Sequence, residues 1–416
     1  MTSIDLAKAL HPAGTAAHRL PSVDAVVVGA RPAGAGTAML LARRGHRVVV
    51  MDRMNRGDDT LSTHALMRAA VDQLASWGLL RAVIAAGTPE LPRVTFDYAG
   101  TRIPVELDFP LFAPRRTVLD RIIADAAVRA GARVQYGVTV QGLLTDPDGT
   151  VRGVHGRTAD GAKFVQPARI VIGADGVRSR VAKQVAAPAT HVGDHATAGM
   201  YTYFRGITPA PRGLEWIYST EASAGLIPTN DGLIGVFVST NRDRFLRDFR
   251  GDRQAAFDRL LLEASPQASQ RLRSATRVAT IRGFASEPGW LRRPYGPGWA
   301  LVGDAGSRKD PISAHGIAGA LRDAELLARA VDAGLRGASS MGEGLARYER
   351  TRNELSLPLL QAADAVAGHD WSIDQLQTHH FALSGAMKVE AAHLRALHQD
   401  DPFRATERLD RVTAAA

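Results

Sequence analysis

Residues able to do chemistry gather at three turn-rich stretches. The first, Gly29-Ala30-Arg31-Pro32-Ala33-Gly34, follows the apolar run Val26–Val28 and is answered further on by Asp52-Arg53. The second, Gly173-Ala174-Asp175-Gly176, follows Ile170–Ile172. The third, Gly303-Asp304, follows Trp299–Val302 and leads through Pro311 to His315-Gly316-Ile317. Glycines between a strand and a helix let backbone N–H groups approach a phosphate at the positive end of the helix, and a carboxylate after the next strand meets ribose hydroxyls. The chemistry this pattern serves is capture of a dinucleotide. Two histidines, His64 in Asp59-Thr60-Leu61-Ser62-Thr63-His64 and His315, are candidates for proton transfer, because imidazole titrates near neutrality.

The elements needed to position these groups are legible around the first stretch. Val26–Val28 reads as a buried strand, and Gly29 turns the chain into a helix carrying Ala38, Leu40 and Leu41. Gly45 ends that helix before a second strand, Val48–Met51. Asp52 lies 23 positions after Gly29 (52 − 29), close to the spacing at which an acid reaches the ribose. One departure is visible: the middle glycine of the usual G-x-G-x-x-G is Arg31.

Taken in order, the three stretches resemble the class A flavoprotein monooxygenase superfamily, para-hydroxybenzoate hydroxylase-like proteins whose members also include flavin-dependent halogenases and geranylgeranyl reductases. The resemblance spans roughly residues 23 to 365. It implies an α/β fold: a glutathione-reductase-like FAD-binding Rossmann-like domain, an inserted mixed β-sheet substrate domain and a helical C-terminus. The expected boundaries are 23–93, 112–195 and 285–365 for the FAD-binding part, 94–111 and 196–284 for the sheet, and 366–416 for the helical segment. Gly29, Arg31, Gly34 and Asp52 would hold the ADP half of FAD, with Arg116 of Arg116-Thr-Val-Leu119 reaching the cofactor. Asp175 would lie near the cofactor and the route of NADPH or NADH, the transient electron donor. Gly303 and Asp304 would serve the ribityl or pyrophosphate region, and Pro311, His315, Gly316 and Ile317 would lie against the isoalloxazine ring. Pro32, Ala33, Arg53 and Thr139 complete the expected cofactor-facing set. A helix starting near Gly316 would point its positive end at the flavin edge where negative charge gathers on reduction.

Departures from the family pattern also stand out. Ser307, Ala314, His315 and Ala318 occupy positions where histidine, glycine, glutamine and asparagine are usual, and Ala182 stands where an arginine is usual. Between the nucleotide motifs, residues 94–111 and 197–240 alternate apolar and polar, as expected of strands roofing a pocket. Tyr201, Tyr203, Trp216 and Tyr218 are candidate walls for a planar substrate. The expected activity is monooxygenation, hydroxylation or epoxidation of a small aromatic or polyketide-like molecule with NAD(P)H and O2 through a flavin C4a-hydroperoxide. Saturation of isoprenoid double bonds is the alternative. Halogenation ranks lower: Ala224-Gly-Leu-Ile227-Pro228 keeps only the end of a WxWxIP motif, and no lysine occurs between Lys8 and Lys163. A non-catalytic flavoprotein is the remaining alternative.

Composition excludes other classes. The chain has 416 residues and no cysteine, so thiolate metal sites, disulfides and dithiol redox chemistry are excluded, and no metal site is expected. The net charge of +9 comes from arginines scattered through helix-like stretches, which argues against a nucleic-acid surface. Residues Met1–Ser22 contain Lys8, His11 and Arg19 without an apolar core, and nowhere do 18 apolar residues run together. A cytoplasmic protein without a membrane span, monomeric or homodimeric, is the expectation.

Overall fold

The computed structural model describes the backbone of Ile4–Asp5 and residues 17–249 and 251–399. Lys8, His11 and residues 400–416 of the expected helical segment lie outside the described residues. In chain order come β1 (Val23–Val28), α1 (Pro32–Arg43), β2 (Val48–Asp52), α2 (Arg68–Ser76), α3 (Leu80–Ala85) and the hairpin β3 (Leu91–Tyr98)–β4 (Thr101–Leu111). Helix α4 (Arg116–Arg129) leads to β5 (Arg133–Tyr136), β6 (Thr139–Thr145), β7 (Val151–Arg157) and β8 (Lys163–Gly173). After α5 (Arg180–Gln184) come β9 (Thr197–Arg205), β10 (Leu214–Tyr218), β11 (Ser223–Pro228) and β12 (Ile234–Asn241). Helices α6 (Arg242–Asp248), α7 (Arg253–Ala264) and α8 (Pro266–Leu272) precede β13 (Trp299–Leu301), α9 (Gly316–Arg336), α10 (Met341–Gly368) and α11 (Ile373–Gln399).

Strands β13, β8, β1, β2 and β5 pair in parallel in that spatial order. Their continuous valine and isoleucine runs suit strands covered on both faces. The register aligns Gly173 with both Val28 and Leu301, so the turns after β1, β8 and β13 emerge side by side at one edge. That alignment brings together the three motifs, which lie more than a hundred residues apart in the chain.

The second sheet runs β9-β12-β11-β10-β3-β4, antiparallel except for β10 beside β3, where Trp216 faces Phe96 and Tyr218 faces Tyr98. Because side chains alternate across a strand, β9 sends Tyr201 and Tyr203 to the inner face while Met200 and Phe204 pack outward. Phe257, Leu260 and Leu261 of α7 cover the outer face. The inner face joins the core that includes α1, α2 and α9. The expected mixed α/β architecture with a helical C-terminus is observed.

Helix α11 closes the sheet at the β3–β10 end. Its His380 Nδ1 lies 2.8 Å from Tyr98 Oη, and its ring centroid lies 4.6 Å from that of Tyr218. Burial pushes the His380 imidazole down to about 4, from an ordinary 6.5. The unfolded chain therefore takes up this proton below pH 6.5 and the folded chain only near pH 4, so stability is lost as pH falls through that window. His380→Phe should be less stable at neutral pH, for want of the Tyr98 bond, yet lose stability on acidification less steeply by about 1.4 kcal/mol per pH unit. Urea unfolding at stepped pH between 7 and 4 measures the slope; one equal to that of the unsubstituted protein would count against this role of His380.

Candidate functional site

The site is built at the aligned edge of the parallel sheet. Gly29 has φ of +109°, and a Cβ there would stand 2.4 Å from the Ala174 carbonyl oxygen, so the turns after β1 and β8 touch backbone to backbone. A Cβ on Gly34 would stand 1.9 Å from the Gly29 carbonyl oxygen, which lets α1 start directly against its own turn. Neither glycine tolerates a side chain. Arg31 occupies the N-cap of α1 with no side-chain cap hydrogen bond, and Pro32 and Ala33 form the first turn. His315 occupies the N-cap of α9, also without a side-chain cap bond, and the space before Gly316 is open. Helices α6, α7, α8 and α10 carry side-chain caps, whereas α2, α3 and α4 lack them, so an uncapped end alone does not mark a ligand. What marks α1 and α9 is an uncapped end opening at the edge where the three motifs meet.

Asp52 is buried at the end of β2, its Oδ2 accepting from Ala30 N at 2.7 Å and its Oδ1 from Met54 N at 2.8 Å. It thereby pins the glycine turn and stands in a small open cleft lined also by Arg31, Asp120, Arg121 and Tyr136. Arg116 Nε and Nη2 donate to the two oxygens of Asp120, at 2.7 and 3.0 Å, and Arg31 Nη1 lies 3.5 Å from the same carboxylate. Asp120 thus orients both cations at the cleft. It has no part in the sequence reading, although its place one helical turn after Arg116 is the available signal. Arg53 is exposed and does not line the cleft; Thr139 is exposed at the start of β6, three residues beyond Tyr136.

The other two aspartates differ. Asp175 is engaged within the chain, accepting from Ser179 Oγ, Arg180 N and Val181 N at 2.5, 2.6 and 3.2 Å, so its carboxylate serves the start of α5. Asp304, following Gly303 in a short 3-10 turn, accepts no hydrogen bond among the described residues. Burial raises its carboxyl, against the pull of Arg308, Lys309 and Arg116. A half-buried acid without a donor at this edge suits ribityl or ribose hydroxyls. Asp310, absent from the sequence reading, accepts from Thr197 N and Oγ1 at 2.8 and 2.7 Å, which ties the Pro311 turn to β9.

His64 and His315 have different partners. His64 is buried, has φ of +62°, and its Nε2 is hydrogen-bonded to Tyr203 Oη, while its Nδ1 has no partner among the described residues. Burial, with Arg116 and Arg115 nearby, pushes its imidazole down to about 3. The Arg115 guanidinium lies over the Tyr203 ring at 5.1 Å, and Tyr201 meets that ring edge-on. Trp216 packs against Phe237 and Tyr218 under His380, further along the same face. His315 is enclosed, its Nε2 2.7 Å from Glu390 Oε2. Ala314 before it adopts φ of +50°, the left-handed region in which glycine is at ease, and glycine is the usual residue there.

These residues fit FAD: two uncapped helix ends, a backbone cradle that a Cβ would fill, and an unengaged carboxylate between them. Gly34→Ala should yield a protein isolated without flavin, as read from visible absorbance, because the cradle closes. Asp52→Ala should weaken FAD by tens of fold in a fluorescence titration, on the scale of about 1.5–3 kcal/mol for a charge-assisted hydrogen bond. Retention of full affinity in either variant would place the dinucleotide elsewhere.

Comparison with known proteins agrees with this geometry. Residues 22–363 match the family model described as FAD binding domain. Digeranylgeranylglycerophospholipid reductase of Methanocella arvoryzae is 25% identical over 355 residues, covering 78% of this chain and 81% of that protein. Among solved structures, the myxobacterial chondrochloren halogenase CndH superposes with a TM-score of 0.75 at 22% identity, covering 94% of this chain and 95% of that one. PqsL of Pseudomonas aeruginosa, in complex with 2-aminobenzoylacetate, superposes with a TM-score of 0.73 at 21% identity, covering 88% of this chain and all of that one. The chain belongs to the FAD-binding family of class A flavoproteins and is an FAD-dependent oxidoreductase.

Proposed function

We propose that this oxidoreductase is a monooxygenase that takes electrons from NADPH or NADH and oxygen from O2 and acts on a small aromatic molecule bearing a hydroxyl. The observation that carries the reading is the His64–Tyr203 pair on the aromatic inner face, beneath Arg115. Bound FAD would supply the redox and oxygen chemistry. Asp304, Asp52, Arg116 and the N-termini of α1 and α9 would hold it.

The chain's own part is to raise the electron density of the substrate ring and to keep water out. Oxygen transfer to a ring carbon is faster from a phenolate than from a phenol. With Tyr203 donating to His64 Nε2, the Tyr203 oxygen keeps lone pairs free to accept a substrate hydroxyl. Burial raises the Tyr203 phenol and lowers the His64 imidazole, so the pair rests uncharged. Arg115 and Arg116, which disfavour an imidazolium at His64, favour negative charge developing on the substrate oxygen by the same Coulomb field. Arg115 and Arg282 both approach Asp59, at 3.7 and 3.8 Å, beyond hydrogen-bond length, which leaves cationic donors at this corner for an acidic substituent.

A second reading, reduction of isoprenoid double bonds, is favoured by the archaeal reductases among the relatives. His380 and the aromatics Tyr98, Tyr218 and Trp216 fill the far end of the inner face, which suits a short ligand better than a long prenyl chain. Anaerobic mixing of the FAD-loaded protein with NADPH or NADH, then with O2 and a panel of phenols, tests the choice. The monooxygenase reading expects faster flavin reduction with a phenol bound and a product carrying label from 18O2. Saturation of a prenyl substrate without O2 would replace it with the reductase reading. Tyr203→Phe should retain FAD and lower the hydroxylation rate by about tenfold, the scale of one hydrogen bond of about 1–1.5 kcal/mol that positions the substrate hydroxyl; an undiminished rate would remove the pair from the mechanism.

A further inference from the structure

The C-terminal helix sends a carboxylate into the enclosure behind the N-terminus of α9. Glu390 of α11 is completely buried; its Oε1 accepts from Arg322 Nη1 at 2.7 Å, and its Oε2 lies 2.7 Å from His315 Nε2. The second contact is close but outside hydrogen-bond geometry. Arg322, on the second turn of α9, also donates to Asp323 Oδ1 from Nε and Nη2, at 2.8 and 2.6 Å, and to Ser356 Oγ of α10 at 2.7 Å. Lys309 is buried beside them, with Ser307 Oγ 3.4 Å from its ammonium. Burial by itself would raise Glu390, but His315, Arg322 and Lys309 hold its carboxyl down to about 2, so it is ionised at any working pH.

His315, Arg322 and Lys309 all belong to the loop and opening turns of α9, whereas Glu390 arrives from 68 residues beyond Arg322. An apolar side chain would dock a helix here without the desolvation that a buried ion pair requires. What a carboxylate adds is direction: its two oxygens reach two groups, the N-cap residue and a side chain about two turns further on, and so set the angle of that end of the helix. The turn needs such a restraint, because Ala314, just before the N-cap, holds a left-handed backbone that an alanine adopts at a cost.

We infer that Glu390 is a positioning residue of the flavin site: by holding His315 and Arg322 it aims the Gly316 end of α9 at the flavin ring, which makes α11 a working part of cofactor binding. The inference rests on the reading that this end of α9 faces the ring.

The test compares Glu390→Gln, His315→Gln, the double variant and Leu394→Ala, each in the full chain. Leu394 is buried in the apolar core one turn further along the same helix and carries no charge, so it reports helix docking. FAD affinity, the visible flavin spectrum and the flavin midpoint potential are read for each, alongside thermal unfolding. The expected result is that Glu390→Gln and His315→Gln each weaken FAD at least tenfold and shift spectrum and potential alike, that the double variant is no worse than either single one, and that Leu394→Ala lowers the melting temperature while the flavin signals stay put. If His315→Gln changes the flavin and Glu390→Gln does not, or if Leu394→Ala changes it equally, the positioning role is overturned while the placement of α9 stands. If neither glutamine variant alters a tightly bound flavin, the placement itself fails, and the inference with it.

Discussion

The alignment of Gly173 with Val28 on one side and Leu301 on the other is the constraint from which the site follows. Parallel pairing in this register ends three strands at one level, and each is followed by a turn rich in glycine and aspartate. The backbone contact of Gly29 with Ala174 then brings two of those turns within van der Waals distance, closer than any side chain would allow. A one-residue slip would turn the strands over and separate the motifs. The binding edge is therefore a product of hydrogen-bond register and of missing Cβ atoms rather than of any strong polar contact.

On that edge the charges divide into two groups with different physics. Around the cleft, Asp120 orients Arg116 and Arg31 in partly hydrated surroundings, where such pairs are adjustable and can exchange partners with a phosphate. Behind α9, Arg322, Asp323 and Glu390 are shut away from water and cannot rearrange without leaving a charge uncompensated. The soft pairs stand where a ligand enters and the rigid ones where a helix must be held. His64 belongs to neither group: cations press on it and burial keeps it neutral, and under the proposed function its part is to orient Tyr203 rather than to carry charge.

Two of the left-handed non-glycine residues, His64 and Ala314, lie in loops of this site. Ala314 replaces the glycine usual at its position, and the packing of Pro311, Asp310 and β9 around it supplies the restraint that glycine would make unnecessary.

The sequence by itself determined the first β-α-β unit, the pairing of Gly29 with Asp52, and the alternation that turns Tyr201 and Tyr203 to one face, because hydrophobic periodicity and glycine positions are local properties. It also carried the family, since three ordered motifs need no distances to be recognised. Only the tertiary structure decided which carboxylates are free: Asp175 and Asp304 follow similar strands and similar glycines, yet one is taken up by the start of α5 and the other accepts no hydrogen bond among the described residues. Only the fold brings Glu390 to His315 and His380 to Tyr98, since α11 docks by an apolar face whose partner the chain does not announce. Long-range contacts of this kind depend on how helices pack in space, and a single chain read in order holds no record of that distance.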